Sequence, residues 1–208
     1  MTEVAEKRPR KERKENADRR RRQLLDAARR SILKNGLART TLATVATEAG
    51  LSQGVAVFYF KSKGGLLTAV LQDLYESYEV HWAGALDAAG PDPKKRLWAL
   101  VDADFSVEAS GPDVLPLWFA FWGELRFTED YAVIAEAFDD RRSDAVAAVW
   151  RGLMPEADAL EAAQMAEWMD TLTDGYWLRL HVSPDTFDRE AARLATRQCL
   201  ERLLPDLA

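Results

Sequence analysis

Two short helical segments joined by a glycine-containing turn, within residues 40–63, constrain the fold of this chain most. In the first segment, apolar residues recur at the i, i+3, i+4 and i+7 spacing of an amphipathic helix: Leu42, Val45, Ala46 and Ala49. Thr41 precedes this helix, at the position where a hydroxyl caps free backbone N–H groups. Gly50 follows it and tolerates the left-handed backbone that closes a last turn. The sequence therefore predicts a short helix that stops at Gly50.

The second segment runs from Gln53 to Phe60, and Ser52 is placed to cap it. Two helices joined by a three-residue turn with glycine form a helix-turn-helix, whose second helix lies in the major groove of DNA. A plain helical hairpin in an all-α protein is the alternative interpretation. The charge distribution and the residues that follow the hairpin favour the first.

Charge is divided unevenly along the chain, although the net charge of the 208 residues is only −6. Residues 1–63 hold 16 Lys and Arg against 7 Asp and Glu, a net of +9, whereas residues 64–208 carry a net of −15. A basic first part on an acidic body suits a phosphate-binding surface that keeps the body off the DNA. The pattern favours binding to double-stranded DNA.

Three regions follow from composition and periodicity. Residues 1–18 are charged and nearly free of large apolar side chains, so we expect a disordered basic arm, which either follows DNA phosphates or stays solvated. A helix-turn-helix domain is expected at 19–64 and a larger helical domain at 65–208. No alternating run of β-branched residues is long enough for a strand. The expected fold class is all-α, with about nine helices.

Composition also excludes several classes of protein. No apolar run approaches the length of a membrane span, and the charged N-terminus lacks the apolar region of a secretory signal. The single cysteine, Cys199, excludes an intramolecular disulfide and gives no metal cluster. His81 and His181 are far apart, and neither a phosphate-binding glycine loop nor a nucleophile elbow is present. We therefore expect a cytoplasmic protein that is not an enzyme and needs no metal or cofactor.

Several motifs resemble the TetR family of bacterial transcriptional repressors from Arg21 onward: Thr40-Thr41, Gly50-Leu51-Ser52, and Tyr59 to Lys63 running into Leu66-Leu67. Residues 117–125 (LWFAFWGEL) and 174–180 (DGYWLRL) are similar to the subgroup of the choline-responsive repressor of glycine-betaine synthesis. The resemblance implies a homodimer that pairs through its last two helices on a palindromic operator. It also implies release from DNA when a small molecule enters the C-terminal domain.

The family pattern can be carried onto individual residues. Gln53 matches a groove-facing position, where its amide can pair with adenine, and Val57 one turn later could touch a thymine methyl group. Val57 and Phe58 depart from the polar residues common in the family, which weakens hydrogen-bonded readout there. The full set of expected DNA-binding residues is Thr41, Ser52, Gln53, Gly54, Val57, Phe58, Tyr59 and Lys63.

Aromatic residues in two later segments predict an effector site. If their helices face each other, rings and a carboxylate converge in the manner that proteins use to hold a quaternary ammonium ion. The expected ligand-binding residues are Trp118, Phe121, Trp122, Glu124, Asp174, Tyr176 and Trp177. A choline-like cation is the favoured effector. The alternatives are a bulky hydrophobic ligand, or a DNA-binding protein of the same fold whose rings are simply core and which senses no small molecule.

Overall fold

The computed structural model describes residues 10–156 and 159–204. Within these residues helices are the only regular secondary structure, and they number ten: α1 (Arg10–Arg39), α2 (Leu42–Glu48), α3 (Gln53–Phe60), α4 (Lys63–Ala89), α5 (Pro93–Asp104), α6 (Val107–Ser110), α7 (Leu115–Trp122), α8 (Glu129–Leu153), α9 (Ala159–Val182) and α10 (Arg189–Leu203). The all-α prediction is confirmed. The count exceeds the expected nine because α5 and α6 are separate helices, the second of which is capped by Ser106.

The chain forms two compact units, divided after Asp73. The sequence placed the boundary at residue 64, near the start of α4, but α4 is continuous through the division. No helix in the described ranges is both long and apolar enough to cross a membrane.

Helix α1 begins earlier than expected. Residues 10–18, predicted as part of a disordered arm, are the first turns of α1, and residues 1–9 of that arm lie outside the described residues. Gly36 interrupts α1 with φ 76° and ψ 170°, close to where the sequence ended this helix. A positive φ of this kind suits glycine, because glycine has no Cβ to clash with the backbone.

The first unit is held together by the inward face of α1, whose buried residues are Leu24, Leu25, Ala28 and Ile32. They pack in the same core as Val45 and Ala46 of α2 and Ala56 and Phe60 of α3. Two polar contacts tie α1 to the end of α2. The Gln23 amide donates to the carbonyl of Ala49 at 2.7 Å, and Arg30 pairs with Glu48 at 2.9 Å.

The turn between α2 and α3 follows the predicted chemistry in most respects. Thr41 caps α2 through a reciprocal pair, in which the N–H of Thr44 donates to its hydroxyl at 3.1 Å and its own N–H donates to the Thr44 hydroxyl at 2.9 Å. Gly50 ends the segment with φ 64°. Ser52 occupies the N-cap position of α3, but its side chain makes no capping hydrogen bond, so that part of the prediction was wrong.

The joint between α3 and α4 is conformationally unusual. Lys61 has φ 66° and ψ −48°, and the N–H of Ser62 donates to the carbonyl of Phe60 at 2.7 Å. Together these define a classic γ-turn, a rare and strained backbone conformation. Gly65 follows at a close approach, because a Cβ built there would collide with the Phe60 carbonyl oxygen. Strain and tight packing thus meet immediately after the second helix of the helix-turn-helix.

The second unit is a bundle in which α8 packs against α5 and α9, α10 packs against α9 and α5, and α7 packs against α9. Its largest fully buried side chains include Trp118, Trp150, Phe121 and Met169. Helix α7 ends at Trp122, and α10 begins at Arg189, where the Asp188 carboxylate accepts from the N–H of Ala191.

Candidate functional site

One candidate surface lies on α3 in the first unit. Gln53, Gly54, Val57 and Phe58 are all exposed. Phe58 is 67% exposed and Val57 41% exposed, so two neighbouring apolar side chains are open to solvent on this helix. The ring of Tyr59 meets the ring of Phe58 edge-on at 5.1 Å. The residues predicted to contact bases are therefore exposed on one helix, which presents both an amide and apolar groups.

Basic side chains flank this surface in defined positions. The ammonium group of Lys63 donates to the carbonyl of Ala38 at 2.6 Å, which leaves two of its three N–H groups for other partners. Lys61, which the sequence did not single out, donates to the carbonyl of Phe58 at 2.9 Å and lies 5.4 Å from the centre of the Phe58 ring. Its position directly after α3 was the feature of the sequence that could have identified Lys61 as part of this surface.

A second candidate site is a cavity of about 330 Å³ in the second unit. Five aromatic rings form much of its wall: Tyr75, Tyr78, Trp118, Trp122 and Trp177. They come from α4, α7 and α9, and α8 contributes polar residues. The cavity thus lies where four helices meet.

The rings form one continuous cluster. Trp122 and Trp177 are nearly parallel, with centroids 6.3 Å apart and planes inclined by 13°. Tyr75 meets Trp118 edge-on at 4.9 Å, and Tyr78 meets Trp177 at 5.6 Å. Trp118 and Trp177 are only 1% and 2% exposed, so they belong to the core and to the cavity wall at once.

Charged residues line the rest of the cavity. Three are carboxylates, Asp139, Asp170 and Asp174, and one is the guanidinium of Arg142. Arg142 donates to Asp104 at 2.8 Å and to Asp170 at 3.3 Å. Because Arg142 is already paired with Asp104, which lies behind the cavity wall, the cavity itself has an excess of negative charge.

Arg142 and Asp104 form the buried centre of a polar network. The Tyr78 hydroxyl donates to the Asp104 carboxylate at 2.8 Å, and the Trp177 indole N–H donates to the Asp104 carbonyl at 3.0 Å. Burial raises the pKa of Asp104 to about 6 despite the opposing effect of Arg142, so this carboxyl is ionised at neutral pH. Burial alone would lower the pKa of Arg142, but Asp104 and Asp170 outweigh it and raise that pKa. The network fixes two cavity residues, Tyr78 and Trp177, through hydrogen bonds.

The remaining carboxyls are held in an unfavourable environment. Asp139 and Asp174 are both exposed at the open side of the cavity. Desolvation, followed by repulsion from Asp170, nevertheless raises the pKa of Asp174 to about 7 and that of Asp139 to about 6. A positive charge placed among them would offset the repulsion and favour the ionised form of both carboxyls.

The structure brings together four of the seven predicted ligand residues, namely Trp118, Trp122, Asp174 and Trp177. The other three lie elsewhere: Phe121 is fully buried against Tyr131 at 5.5 Å, Glu124 is exposed, and Tyr176 stacks on Phe187 at 5.6 Å. Sequence reasoning missed Tyr75, Tyr78, Asp139, Arg142 and Asp170. The i, i+4 spacing of Asp170 and Asp174, which puts both carboxylates on one face of α9, was a signal that could have found one of them.

A helix-turn-helix unit followed by a helical unit with a cavity is typical of bacterial transcriptional regulators, and comparison with known proteins agrees. Residues 24–70 match the model of bacterial regulatory proteins of the tetR family, and residues 93–205 match the BetI-type transcriptional repressor C-terminal domain. The chain belongs to the TetR family, and its second unit is of the BetI type.

Named relatives and solved structures support the same assignment. The chain is 36% identical to the HTH-type transcriptional regulator BetI of Burkholderia thailandensis over 189 residues, which cover 89% of this chain and 93% of that protein. The corresponding BetI of Paraburkholderia phytofirmans is 34% identical over the same coverage. A transcriptional regulator from Pseudomonas aeruginosa superposes with a TM-score of 0.80 at 25% identity, covering 89% of this chain and 90% of that one.

One structural neighbour was solved with a ligand. A protein described as a transcriptional regulator from Saccharomonospora viridis, in complex with choline, superposes with a TM-score of 0.79 at 20% identity, covering 88% of this chain and 96% of that one. At this identity the likeness establishes the fold.

The relatives are transcriptional regulators, which confirms that the chain is not an enzyme. Both histidines have structural partners: His81 hydrogen-bonds the Ser106 hydroxyl at 2.8 Å, and His181 stacks on Phe119 at 4.6 Å.

Proposed function

We propose that this repressor binds a palindromic operator as a homodimer and is released by a quaternary ammonium compound such as choline. The observation that carries the proposal is the cavity wall in which five aromatic rings adjoin three carboxylates. Ring faces attract a cation without hydrogen bonds, by roughly 0.5–2 kcal/mol per contact. The choline complex of the structural neighbour supports the same ligand class.

The negative charge of the cavity favours a cationic effector over the alternatives. A bulky hydrophobic ligand would cover Asp139 and Asp174 without supplying a positive charge, and a carboxylate that loses water without gaining a partner is costly to bury. A regulator with no effector would be expected to fill this space with side chains, whereas a cavity of about 330 Å³ is open here. A small cation fits the observed lining best.

For the operator, the exposed face of α3 supports the predicted readers. Gln53 offers a bidentate amide, while Val57 and Phe58 offer apolar groups suited to thymine methyls. Tyr59 and Lys63 stand at the end of α3 and the start of α4, where they can contact phosphates on either side of the groove. The net charge of +9 over residues 1–63 favours association with DNA of any sequence.

For the dimer, the outer face of α9 and α10 supplies an apolar surface. A groove of about 550 Å³ there is lined by Trp168, Thr171, Leu172, Gly175, Tyr176, Arg179, Cys199, Leu200 and Leu203. Trp168, Leu194 and Leu203 are each close to half exposed. A contiguous apolar face of this kind is typical of a protein–protein interface, and a second copy of the chain is the partner that a palindromic operator requires.

The mechanism we infer is a shift between two dimer populations. A ligand that prefers the dimer whose α3 helices are wrongly spaced for DNA lowers operator affinity by its differential binding, typically about 1–3 kcal/mol. Helix α4 carries Lys63 at its start and Tyr75 and Tyr78 of the cavity wall further along. It is therefore the element that links the two functions.

Calorimetric titration with choline and gel-shift assays on candidate operators test the proposal together. Choline should bind, and it should release the protein from operator DNA over the same concentration range. Binding of uncharged compounds alone in the calorimetric titration would refute the cationic effector. Absence of preference for any duplex at low salt would refute the operator-binding function.

Two substitutions separate phosphate contact from base reading. Lys63→Ala should weaken binding to all duplexes about equally and reduce the salt dependence, because it removes a phosphate contact. Gln53→Ala should instead change which operator is preferred. Equal losses on every sequence for Gln53→Ala would show that it does not read bases.

A further inference from the structure

Three buried polar atoms on side chains that line the cavity have no hydrogen-bond partner among the described residues. They are Nη1 of Arg142, the hydroxyl of Thr173 and the indole Nε1 of Trp118. Arg142 is 8% exposed, Thr173 is 3% exposed and Trp118 is 1% exposed. A buried donor without a partner is costly and rare in native proteins. Three such atoms around one cavity indicate a group that a ligand brings with it.

The chemistry of Arg142 determines what that group must be. Its other terminal nitrogen, Nη2, donates to both Asp104 and Asp170, and the guanidinium lies 5.2 Å from the centre of the Tyr78 ring, whereas Nη1 makes no hydrogen bond to a described residue. A guanidinium can only donate hydrogen bonds. The missing partner is therefore an acceptor, and the Thr173 hydroxyl can either donate to it or accept from it.

The charge of the cavity limits the kind of acceptor. Asp139, Asp170 and Asp174 line the same space, and a ligand carboxylate would be repelled by them. An uncharged oxygen meets no such repulsion and still satisfies Nη1. The cationic end of the ligand would lie against the rings and the carboxylates, leaving the oxygen for Arg142 and Thr173.

We infer that Arg142 and Thr173 bind an uncharged oxygen, either hydroxyl or carbonyl, that the quaternary ammonium effector carries near its cationic head. The inference rests on the proposed function, because it presumes a cationic effector in this cavity. It goes further in making the oxygen a requirement for tight binding. A site built to hydrogen-bond a ligand group discriminates strongly against an analogue that lacks it.

The direct test compares choline with propyltrimethylammonium, in which a methyl group replaces the hydroxyl. Calorimetric titration of the full chain should show choline binding about tenfold or more tightly, as expected for a hydrogen bond from a charged donor. Equal affinities would overturn this inference while leaving a quaternary ammonium effector intact. Failure of both compounds to bind would refute the proposed function itself.

The Thr173→Val variant tests whether the preference for choline over propyltrimethylammonium depends on the Thr173 hydroxyl. Valine has nearly the shape of threonine, and the hydroxyl it removes has no partner, so the ligand-free variant should melt no lower than the wild type. In this variant choline affinity should fall at least severalfold, whereas propyltrimethylammonium affinity should stay unchanged. Thr173→Ser, which keeps the hydroxyl, should keep the wild-type ratio of the affinities for choline and propyltrimethylammonium. A Thr173→Val protein with the wild-type ratio would overturn the assignment.

Ser143→Ala is the matched control, since Ser143 is another hydroxyl in the cavity wall. It should leave the ratio of the two affinities unchanged, and loss of the ratio in this variant alone would overturn the assignment to Thr173. Glycine betaine tests the charge of the oxygen. It should bind more weakly than choline, and equal binding would show that the site accepts a carboxylate.

Discussion

Asp174 is the residue through which the cavity should respond to pH. Its pKa of about 7 in the folded chain lies above the ordinary value for aspartate. Between those two values the folded protein holds a proton that the unfolded chain has released. The stabilisation that this proton provides is complete at acidic pH and is lost as the pH rises through about 7.

Asp174→Asn should remove the loss of folding stability that accompanies the rise in pH. We expect the variant to raise the melting temperature relative to wild type more at pH 8 than at pH 5, because an amide needs no proton to remain neutral. Thermal unfolding at the two pH values measures the difference. Glu124→Gln, which changes an exposed carboxylate outside the cavity, should give the same shift at both.

Effector affinity should depend on pH through the same group. A bound cation favours the ionised carboxylate, so choline should bind more tightly at pH 8 than at pH 6 in the wild type. The Asp174→Asn protein should bind choline more weakly and with a flatter pH profile. Titration calorimetry across this range is the measurement, and an unchanged profile in the variant would show that another group controls binding.

The same residues show how far sequence reasoning reaches. Trp118 and Trp122 could be placed in the cavity because their i, i+4 spacing puts them on one face of a helix. Tyr176 could not be told from Trp177, since neighbouring residues point about 100° apart on a helix and the sequence does not say which faces inward. Arg142 and Asp170 were missed because their pairing is made across helices that only the fold brings together.

At the scale of elements, the junction of α3 and α4 offers a sharp contrast between two neighbouring glycines. A Cβ at Gly65 would collide with the Phe60 carbonyl, whereas a Cβ at Gly64 would meet only the Ser62 hydroxyl oxygen at 3.7 Å. Gly65→Ala should destabilise the protein by about 1–3 kcal/mol, the usual cost of overpacking. Gly64→Ala should be neutral or slightly stabilising. Urea unfolding of the two variants gives the comparison, and equal stabilities would contradict it.

Lys61 allows the strain of the γ-turn to be measured. Lys61→Gly and Lys61→Ala both remove the side chain's contacts with Phe58, but only glycine tolerates the positive φ without a penalty. The glycine variant should therefore be the more stable of the two by about 1 kcal/mol. Chemical denaturation is the assay, and a more stable alanine variant would show that the joint is not strained.

Element boundaries were predictable where local chemistry defines them and less so elsewhere. Thr41 and Gly50 bracket α2 as expected, because capping and a positive φ depend on single residues. The start of α1 was placed too late, because the charged residues 10–18 have no apolar periodicity to reveal a helix. The break between α5 and α6 was missed for a related reason, since residues 94–105 contain no glycine or proline that would mark the end of a helix.

For the whole molecule, the apolar face of α9 and α10 predicts the oligomeric state. Leu203→Glu should shift the protein from dimer to monomer, because it places a charge in the proposed interface, and operator affinity should fall with it. Val133→Glu is the matched control, as Val133 is a similarly exposed apolar residue on α8. Sedimentation velocity distinguishes the outcomes. A Leu203→Glu protein that remains dimeric would place the interface elsewhere.

The unbroken course of α4 has a mechanical consequence. Tyr75 stands twelve residues after Lys63, which on a straight α-helix is about 18 Å along the axis. A tilt of about 5° imposed at Tyr75 would carry the Lys63 end through roughly 1.5 Å over that length. Hydrogen bonds to phosphate oxygens tolerate only a few tenths of an ångström. Under the proposed mechanism, a small cation that contacts Tyr75 can therefore displace Lys63 through α4 alone, without unfolding this helix.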